Sequence, residues 1–261
     1  MKNLFLCFIV VAAISCNSSK EKPDMPGAYL MQSQTINDGQ KDTKYTSLQQ
    51  LKIYTDSFMM YAQINPSDSV SAFGVASYTP TDSGTVIETA IYTSRDSSAT
   101  TAQSSFNVRI QQNPDGYTQV IPQFAMQGQN MKLTEEYKSV GTKATSPLDG
   151  VWKETKSFIV KGNDTTYNNR TQYKAFYSGY FMFGSTVKDS TSKTTTGIGF
   201  GTFQMAGNNK VKETDLNSSY AIIAGNSFDI DVDMSGPDSY NQTITDSTGS
   251  KSVEFYERLK K

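Results

Sequence analysis

The sequence predicts an all-β protein made of two tandem antiparallel β-barrels, with a pair of β-sandwiches as the alternative. Three observations carry that prediction. The first is a duplication: Gln50 to Tyr61 (QLKIYTDSFMMY) returns as Gln172 to Phe183 (QYKAFYSGYFMF), a spacing of 122 residues (172 − 50). The second is composition. Ser, Thr, Gly and aromatic residues are abundant and long leucine-rich periodic stretches are missing, which favours strands over helices. The third is alternation, clearest from Phe228 to Met234, where Phe228, Ile230, Val232 and Met234 are interleaved with Asp229, Asp231 and Asp233. A period of two buries one face of a strand and leaves the other wet.

The duplication sets the order of elements. Gly27-Ala28-Tyr29 opens the first copy and Gly150-Val151-Trp152 the second. The Gln-x-Lys strand follows in each. Ala72 to Tyr78 then matches Gly197 to Phe203, Val86 to Thr89 matches Val211 to Thr214, and Phe106 to Ile110 matches Phe228 to Val232. Pro114-Asp115-Gly116-Tyr117 matches Pro237-Asp238-Ser239-Tyr240, and Glu136 to Val140 matches Phe255 to Leu259. The spacing drifts by only a few residues, so the copies share strands and differ in loop length. Turn-rich segments such as Asn65-Pro66-Ser67-Asp68, Asp82-Ser83-Gly84 and Asn113-Pro114-Asp115-Gly116 separate the strands. The join falls where Gly141 to Pro147 gathers Gly, Thr, Ser and Pro. The expected units are 26–142 and 147–261, each large enough for its own core. A meander of such strands protects its edges best by closing on itself.

Several function classes are excluded by residue content. The chain of 261 residues has a formal net charge of −1 and no concentrated basic patch, which argues against a nucleic-acid partner. There is no histidine, so neither a Ser-His-Asp nor a Cys-His unit nor a His-ligated metal can be built. The two cysteines, Cys7 and Cys16, both lie at the N-terminus, so the folded part has no thiol nucleophile and no disulfide. No catalytic residue, metal ligand or cofactor is assigned, and an enzyme is not expected. Asp229, Asp231 and Asp233 begin like a calcium loop, but Met234 stands where Gly is needed and Tyr240 where Glu is needed. Ser190-Thr191-Ser192-Lys193 fits a Ser-x-x-Lys pattern but sits in a Ser/Thr-rich turn rather than at a helix start.

The N-terminus reads as an address. Met1-Lys2-Asn3 is a short positive start and Leu4 to Ile14 an apolar run too short to span a bilayer as a helix. It ends in Ala13-Ile14-Ser15-Cys16, which resembles a bacterial lipobox. The resemblance implies a lipoprotein signal peptide over 1–15, acyl chains on Cys16 as the membrane partner, and a polar tether over 16–25, the alternatives being an ordinary secretory signal or an uncleaved anchor. Lys20 and Glu21, close behind the cysteine, are similar to surface-export signals of Bacteroides-type lipoproteins. The expected location is the cell envelope, on the outer membrane.

A Gly-x-Trp at the first strand, with an Arg on the last strand to lie over the indole, resembles the signature of the calycins, the group of lipocalins and fatty-acid-binding proteins. Gly150, Trp152 and Arg258 supply it in the second copy; Gly27, Tyr29 and Lys138 form a softened version in the first. Beyond the leader, the chain is similar to lipocalin-like lipoproteins of Bacteroides-type bacteria. The resemblance implies lipocalin-like barrels whose last strand returns beside the first. A guanidinium over an aromatic face would hold that closure by a cation–π contact.

Two further patterns bear on an interior site. Ala72, Gly74 and Ala76, then Gly197, Gly199 and Gly201, place small residues on one face of the same strand in both copies, each row ending at Tyr78 or Phe203. Either the glycines permit a tight barrel bend or they leave room for a ligand. Lys52 recurs as Lys174 and Glu88 as Glu213, which gives either an internal ion pair or unrelated surface charges. With Tyr54, Phe58, Phe176 and Tyr180 as the expected aromatic walls, these residues make the candidate ligand site. Three functions follow: a module binding a small apolar or amphipathic ligand, a structural or interaction protein with side-chain-filled barrels, and, least favoured, a carboxylate-dependent hydrolase. Nothing in the sequence identifies a protein partner.

The address can be tested directly. Cys16→Ala should abolish incorporation of labelled fatty acid and move the protein out of the membrane fraction; labelling that persists would rule out this lipidation site.

Overall fold

The computed structural model describes residues 22–95, 104–126, 129–142 and 144–261; Cys7, Cys16 and the leader lie outside them. The first copy forms β1 (Gly27–Asn37), β2 (Asp42–Tyr45), β3 (Gln49–Tyr54), β4 (Phe58–Asn65), β5 (Val70–Pro80), β6 (Thr85–Thr93), β7 (Ser105–Asn113), β8 (Gly116–Met126) and β9 (Gln129–Ser139). The second forms β10 (Gly150–Lys161), β11 (Asp164–Tyr167), β12 (Thr171–Tyr177), β13 (Tyr180–Lys188), β14 (Thr194–Met205), β15 (Lys210–Ser218), β16 (Ser227–Gly236), β17 (Ser239–Thr245) and β18 (Lys251–Arg258).

Both copies close. β9 returns antiparallel to β1 from Tyr29↔Ser139 to Asn37↔Lys132, and β18 to β10 from Trp152↔Arg258 to Val160↔Lys251. β2 and β11 pair only with the far halves of β1 and β10, so each wall has eight strands and the ninth is a short flap. The ladder that joins last strand to first distinguishes two barrels from two sandwiches, because closure leaves no unpaired main edge. The sequence could not reach this distinction, since strand alternation is the same in both architectures.

The second barrel is sealed at one end by the pair that the Gly-x-Trp pattern singles out. Arg258 lies 4.1 Å above the Trp152 ring, and the indole nitrogen donates to the carbonyl of Leu148 at 2.7 Å. The guanidinium also donates to the carbonyls of Pro147, Asp149 and Pro237. Gly150 is required twice over: its φ is +150°, and a Cβ there would lie 2.2 Å from the Arg258 Nη1. In the first barrel Tyr29 takes the indole's place and donates to the carbonyl of Met25 at 3.0 Å, four residues back as in the second copy. Lys138 does not take the arginine's place. Tyr29 pairs with Ser139, whereas Lys138 pairs with Leu30 and is exposed. The strand period of two explains the correction: a shift of one residue turns a side chain to the opposite face.

The outer faces of the barrels meet in an apolar seam. Leu51, Ile53, Met60, Phe73 and Val75 from the first barrel pack with Val151, Ala175, Met182, Ile198 and Phe200 from the second. Phe73 lies directly on Gly184, where a Cβ would stand 2.2 Å from its ring. Ser71 donates to the Thr196 carbonyl at 2.8 Å at the edge of the seam, and the Tyr92 and Thr186 hydroxyls share a hydrogen bond. The strands at the seam are therefore buried on both faces, like those of parallel sheets, and read as apolar runs rather than clean alternations.

The closure pair carries a measurable coupling. Trp152 is fully buried, so Trp152→Ala should cost on the order of 3–5 kcal/mol. Arg258→Ala should cost about 1–2 kcal/mol through lost stacking and stem packing. In a urea-denaturation cycle the double variant should be less destabilised than the sum, since both changes remove the same contact; strict additivity would contradict a closure held by this pair.

Candidate functional site

The interior of each barrel is built around a buried lysine. On β3, Gln50, Lys52 and Tyr54 point inward while Leu51 and Ile53 point to the seam; on β12, Gln172, Lys174 and Phe176 do the same beside Tyr173 and Ala175. The Lys52 ammonium is 2.9 Å from Glu88 on β6 and 3.0 Å from the Gln119 side-chain oxygen on β8. Lys174 repeats this with Glu213 on β15 at 2.6 Å and Gln242 on β17 at 3.1 Å. All four ionised groups are buried, so the pairing is obligatory: a lone charge there would be strongly unfavourable.

Further partners complete each network. In the first barrel the Tyr54 hydroxyl donates to Glu88, and Glu135 accepts from Gln119 and Tyr137. Burial and the Glu88 charge push the Tyr54 phenol well above its ordinary range, so it stays a donor. In the second barrel Glu254 accepts from Tyr256, Gln172 and Gln242 and pairs with Arg170 at 2.8 Å. Burial opposes its charge, but Arg170, Lys174 and the Tyr256 hydroxyl hold its carboxyl below the ordinary range.

The small-residue rows face inward, and aromatic side chains occupy the room they leave. A Cβ on Gly74 would meet the Tyr61 ring at 2.5 Å, one on Gly199 the Phe183 ring at 2.4 Å, and one on Gly197 the Tyr220 hydroxyl at 1.9 Å. Gly201 sits at a β-bulge against the Thr214 carbonyl, and Ala76 at the matching bulge of the first copy. These positions serve both bending and packing.

Two expected wall residues lie elsewhere. Phe58 belongs to the seam, and Tyr180 packs against it from the second barrel. Across the hairpins Tyr54 pairs with Met59 and Phe176 with Phe181, so those partners share the inward face and Phe58 and Tyr180 fall one residue out of phase. Lys52, Tyr54, Glu88, Lys174, Phe176 and Glu213 all point inward.

The interiors differ in what fills them. The second barrel holds a cavity of about 390 Å³ whose lining includes the charged Arg170, Lys174, Glu213, Asp215 and Glu254 and the apolar Ile223, Phe228, Ile230 and Ile244. Structurally equivalent positions explain its presence. Gln63, inward in the first barrel, is replaced by the smaller Ser185. Arg95, which reaches in to bond Gln63, is replaced by Tyr220, which stacks on Phe183 at the mouth. Tyr54, which donates to Glu88, is replaced by Phe176, so Glu213 lacks that donor.

Asp215 is the addition. It pairs across the bulge with Gly201, where the first copy pairs Ala90 with Ala76. The residue is 3% exposed, and its Oδ1 is buried without a hydrogen-bond partner among the described residues. Burial first, and the neighbouring Glu213 second, raise its carboxyl to about 7 despite Lys174. Sequence reasoning passed over Asp215, Arg170 and Tyr220 because it looked for what the copies share. The signal was in their differences: an Asp two residues beyond Glu213 where Ala90 stands two beyond Glu88.

Fold and site thus define a class: two closed eight-stranded antiparallel barrels in tandem, each built around a buried ion pair, the second with a cavity beside it. No known family profile and no curated protein matches this chain. Among solved structures it is similar to a protein of unknown function from the DUF3598 family of Nostoc punctiforme, at 10% identity over 90% of this chain and 96% of that one, with a TM-score of 0.27.

The Asp215 environment has a defined pH signature. Its folded pKa lies above the ordinary 3.8, so between the two values the folded state holds a proton that the unfolded state has lost. Stability from this group is therefore full at low pH and falls as pH rises toward about 7. Asp215→Asn should stabilise the protein at pH 8 by on the order of 2–4 kcal/mol, and the gain should shrink toward zero near pH 4. Chemical denaturation at the two pH values measures it.

Proposed function

We propose that the protein is a cell-envelope lipoprotein, anchored to the outer membrane through acyl chains on Cys16, whose second barrel binds a small amphipathic ligand. The role proposed is binding rather than catalysis, with no cofactor. The observation that carries this reading is the asymmetry of two barrels built on one plan. In the first, Gln63 bonds Gln50 and Arg95; the second has Ser185 and Tyr220 at the Gln63 and Arg95 positions and a cavity of about 390 Å³, within the range of small-molecule sites. The cavity lining combines isoleucines and Phe228 with charged groups, the mixture an amphipathic ligand requires. At its mouth Tyr220 and Ile222 are exposed, Ile222 at 83%, so apolar surface continues from the interior to the outside. In this reading the first barrel is structural: it covers the seam strands of the second and carries the connection to the lipid anchor.

Native mass spectrometry of the purified chain should show one small-molecule adduct per chain. The neutral dye N-phenyl-1-naphthylamine should brighten on binding. The double substitution Ser185→Gln with Tyr220→Arg, which copies the first barrel's filling, should abolish both signals while the protein still melts cooperatively. Equal dye binding by the original and the double variant would overturn the assignment to this cavity.

A further inference from the structure

The second barrel's cavity also carries information about what it takes, and this inference rests on the binding reading above. Its lining carries two cations, Arg170 and Lys174, and three carboxylates, Glu213, Glu254 and Asp215, and a fourth carboxylate, Glu154, pairs with Arg170. Three of the carboxylates are engaged. Arg170 joins Glu154 at 2.6 Å and Glu254 at 2.8 Å, and Lys174 joins Glu213 at 2.6 Å. The donor amides are used as well: Gln172 bonds Glu154, Glu254 and the Tyr256 hydroxyl, while Gln242 bonds Glu254 and accepts from Lys174. Asp215 is left over, on the cavity wall, with its Oδ1 unpartnered among the described residues and the residue 97% removed from solvent.

A buried carboxylate with no donor is unfavourable by several kcal/mol unless it is neutralised or met by one. Nothing in the barrel plan demands an acid here, since the equivalent residue of the first barrel is Ala90 and that barrel closes around the same ion pair. The loss of the tyrosine donor at Phe176 adds to the imbalance: next to Asp215, Glu213 keeps only the Lys174 contact among the described residues. Acceptors therefore exceed donors around Asp215 and Glu213, and Phe228, which pairs with Glu213, joins Ile223, Ile230 and Ile244 as the apolar part of the same lining.

We propose that the cavity is specific for an amine-headed amphipath, a primary ammonium group on an apolar chain, with Asp215 as the specificity-determining residue. The ammonium donates to the Asp215 carboxylate and the apolar chain lies along the isoleucine wall toward the mouth at Tyr220 and Ile222. A fatty acid is excluded by the same arrangement, because its carboxylate would face Asp215 and Glu213 while both cations are already paired.

Isothermal titration of the full chain with decylamine, decanol and decanoate, at about pH 8 where Asp215 is mostly ionised and below micelle-forming concentrations, separates the possibilities. Decylamine should bind at least roughly tenfold more tightly than decanol, as one charge-assisted hydrogen bond provides, and decanoate more weakly than decanol. Asp215→Asn should remove the amine's advantage and leave decanol binding unchanged. Asp215→Ala, the first barrel's own residue at this position, should do the same and guards against an effect peculiar to the amide. If all three ligands bind with similar affinity, or if the two variants keep the amine preference, the head-group assignment falls while the binding cavity stands. If none of the three binds, the binding reading falls with it.

Discussion

A lysine ammonium at the centre of a closed barrel constrains almost everything around it. Lys52 and Lys174 are buried, so each barrel must place a carboxylate within contact distance and surround the pair with polar side chains. That requirement links strands distant in sequence. β3 carries the lysine, β6 the acid, β8 the glutamine and β9 the Glu135–Tyr137 pair, and the second barrel repeats the set on β12, β15, β17 and β18. Only a closed cylinder brings all of them to one axis. A buried ion pair is weak ground for stability, yet it is demanding about geometry, because breaking it leaves a lone charge at a cost of about 3–5 kcal/mol. This accounts for its presence in both copies when their loops and outer faces have drifted.

Around that shared centre the copies have diverged in complementary ways. In the first, Gln63 bonds Gln50 and Arg95, Tyr54 donates to Glu88, and the Tyr61 ring lies against Gly74. The second has smaller or less polar groups at two of those positions, Ser185 and Phe176, and gains Asp215. A change from Gln to Ser opens space; a change from Ala to Asp charges it. Neither alone would make a site. An enlarged apolar space could remain dry and unselective, and an added acid in a filled barrel would have no room for a partner.

The seam explains how such divergence was tolerated. Outer faces of barrel strands are ordinarily wet, but here the apolar outward residues of β3, β4 and β5 lie against those of β10, β12, β13 and β14. The two cylinders support each other at the strands that carry the lysines. The far side of the second barrel, where β15 to β17 form the cavity wall, faces away from the seam and keeps its Asp229, Asp231 and Asp233 row in solvent. The cavity thus spans the barrel, from Lys174 and Ser185 on the seam strands β12 and β13 to Ile230 and Ile244 on the far side.

The sequence by itself determined the duplication, the all-β class, the order of strands and the recurrence of Lys with Glu, because each is a local pattern or a repeat of one. It also singled out Trp152 with Arg258, which the tertiary structure brings into contact across the whole length of the second copy. Closure, the seam and the cavity were decided only in three dimensions. Alternation states that a strand has two faces but not which one meets a neighbouring barrel, and a hairpin that shifts phase by one residue moves Phe58 and Tyr180 from wall to seam. Whether Ser185, Tyr220 and Asp215 leave a space depends on side chains from separate strands sharing one axis, and strand order alone does not specify volume.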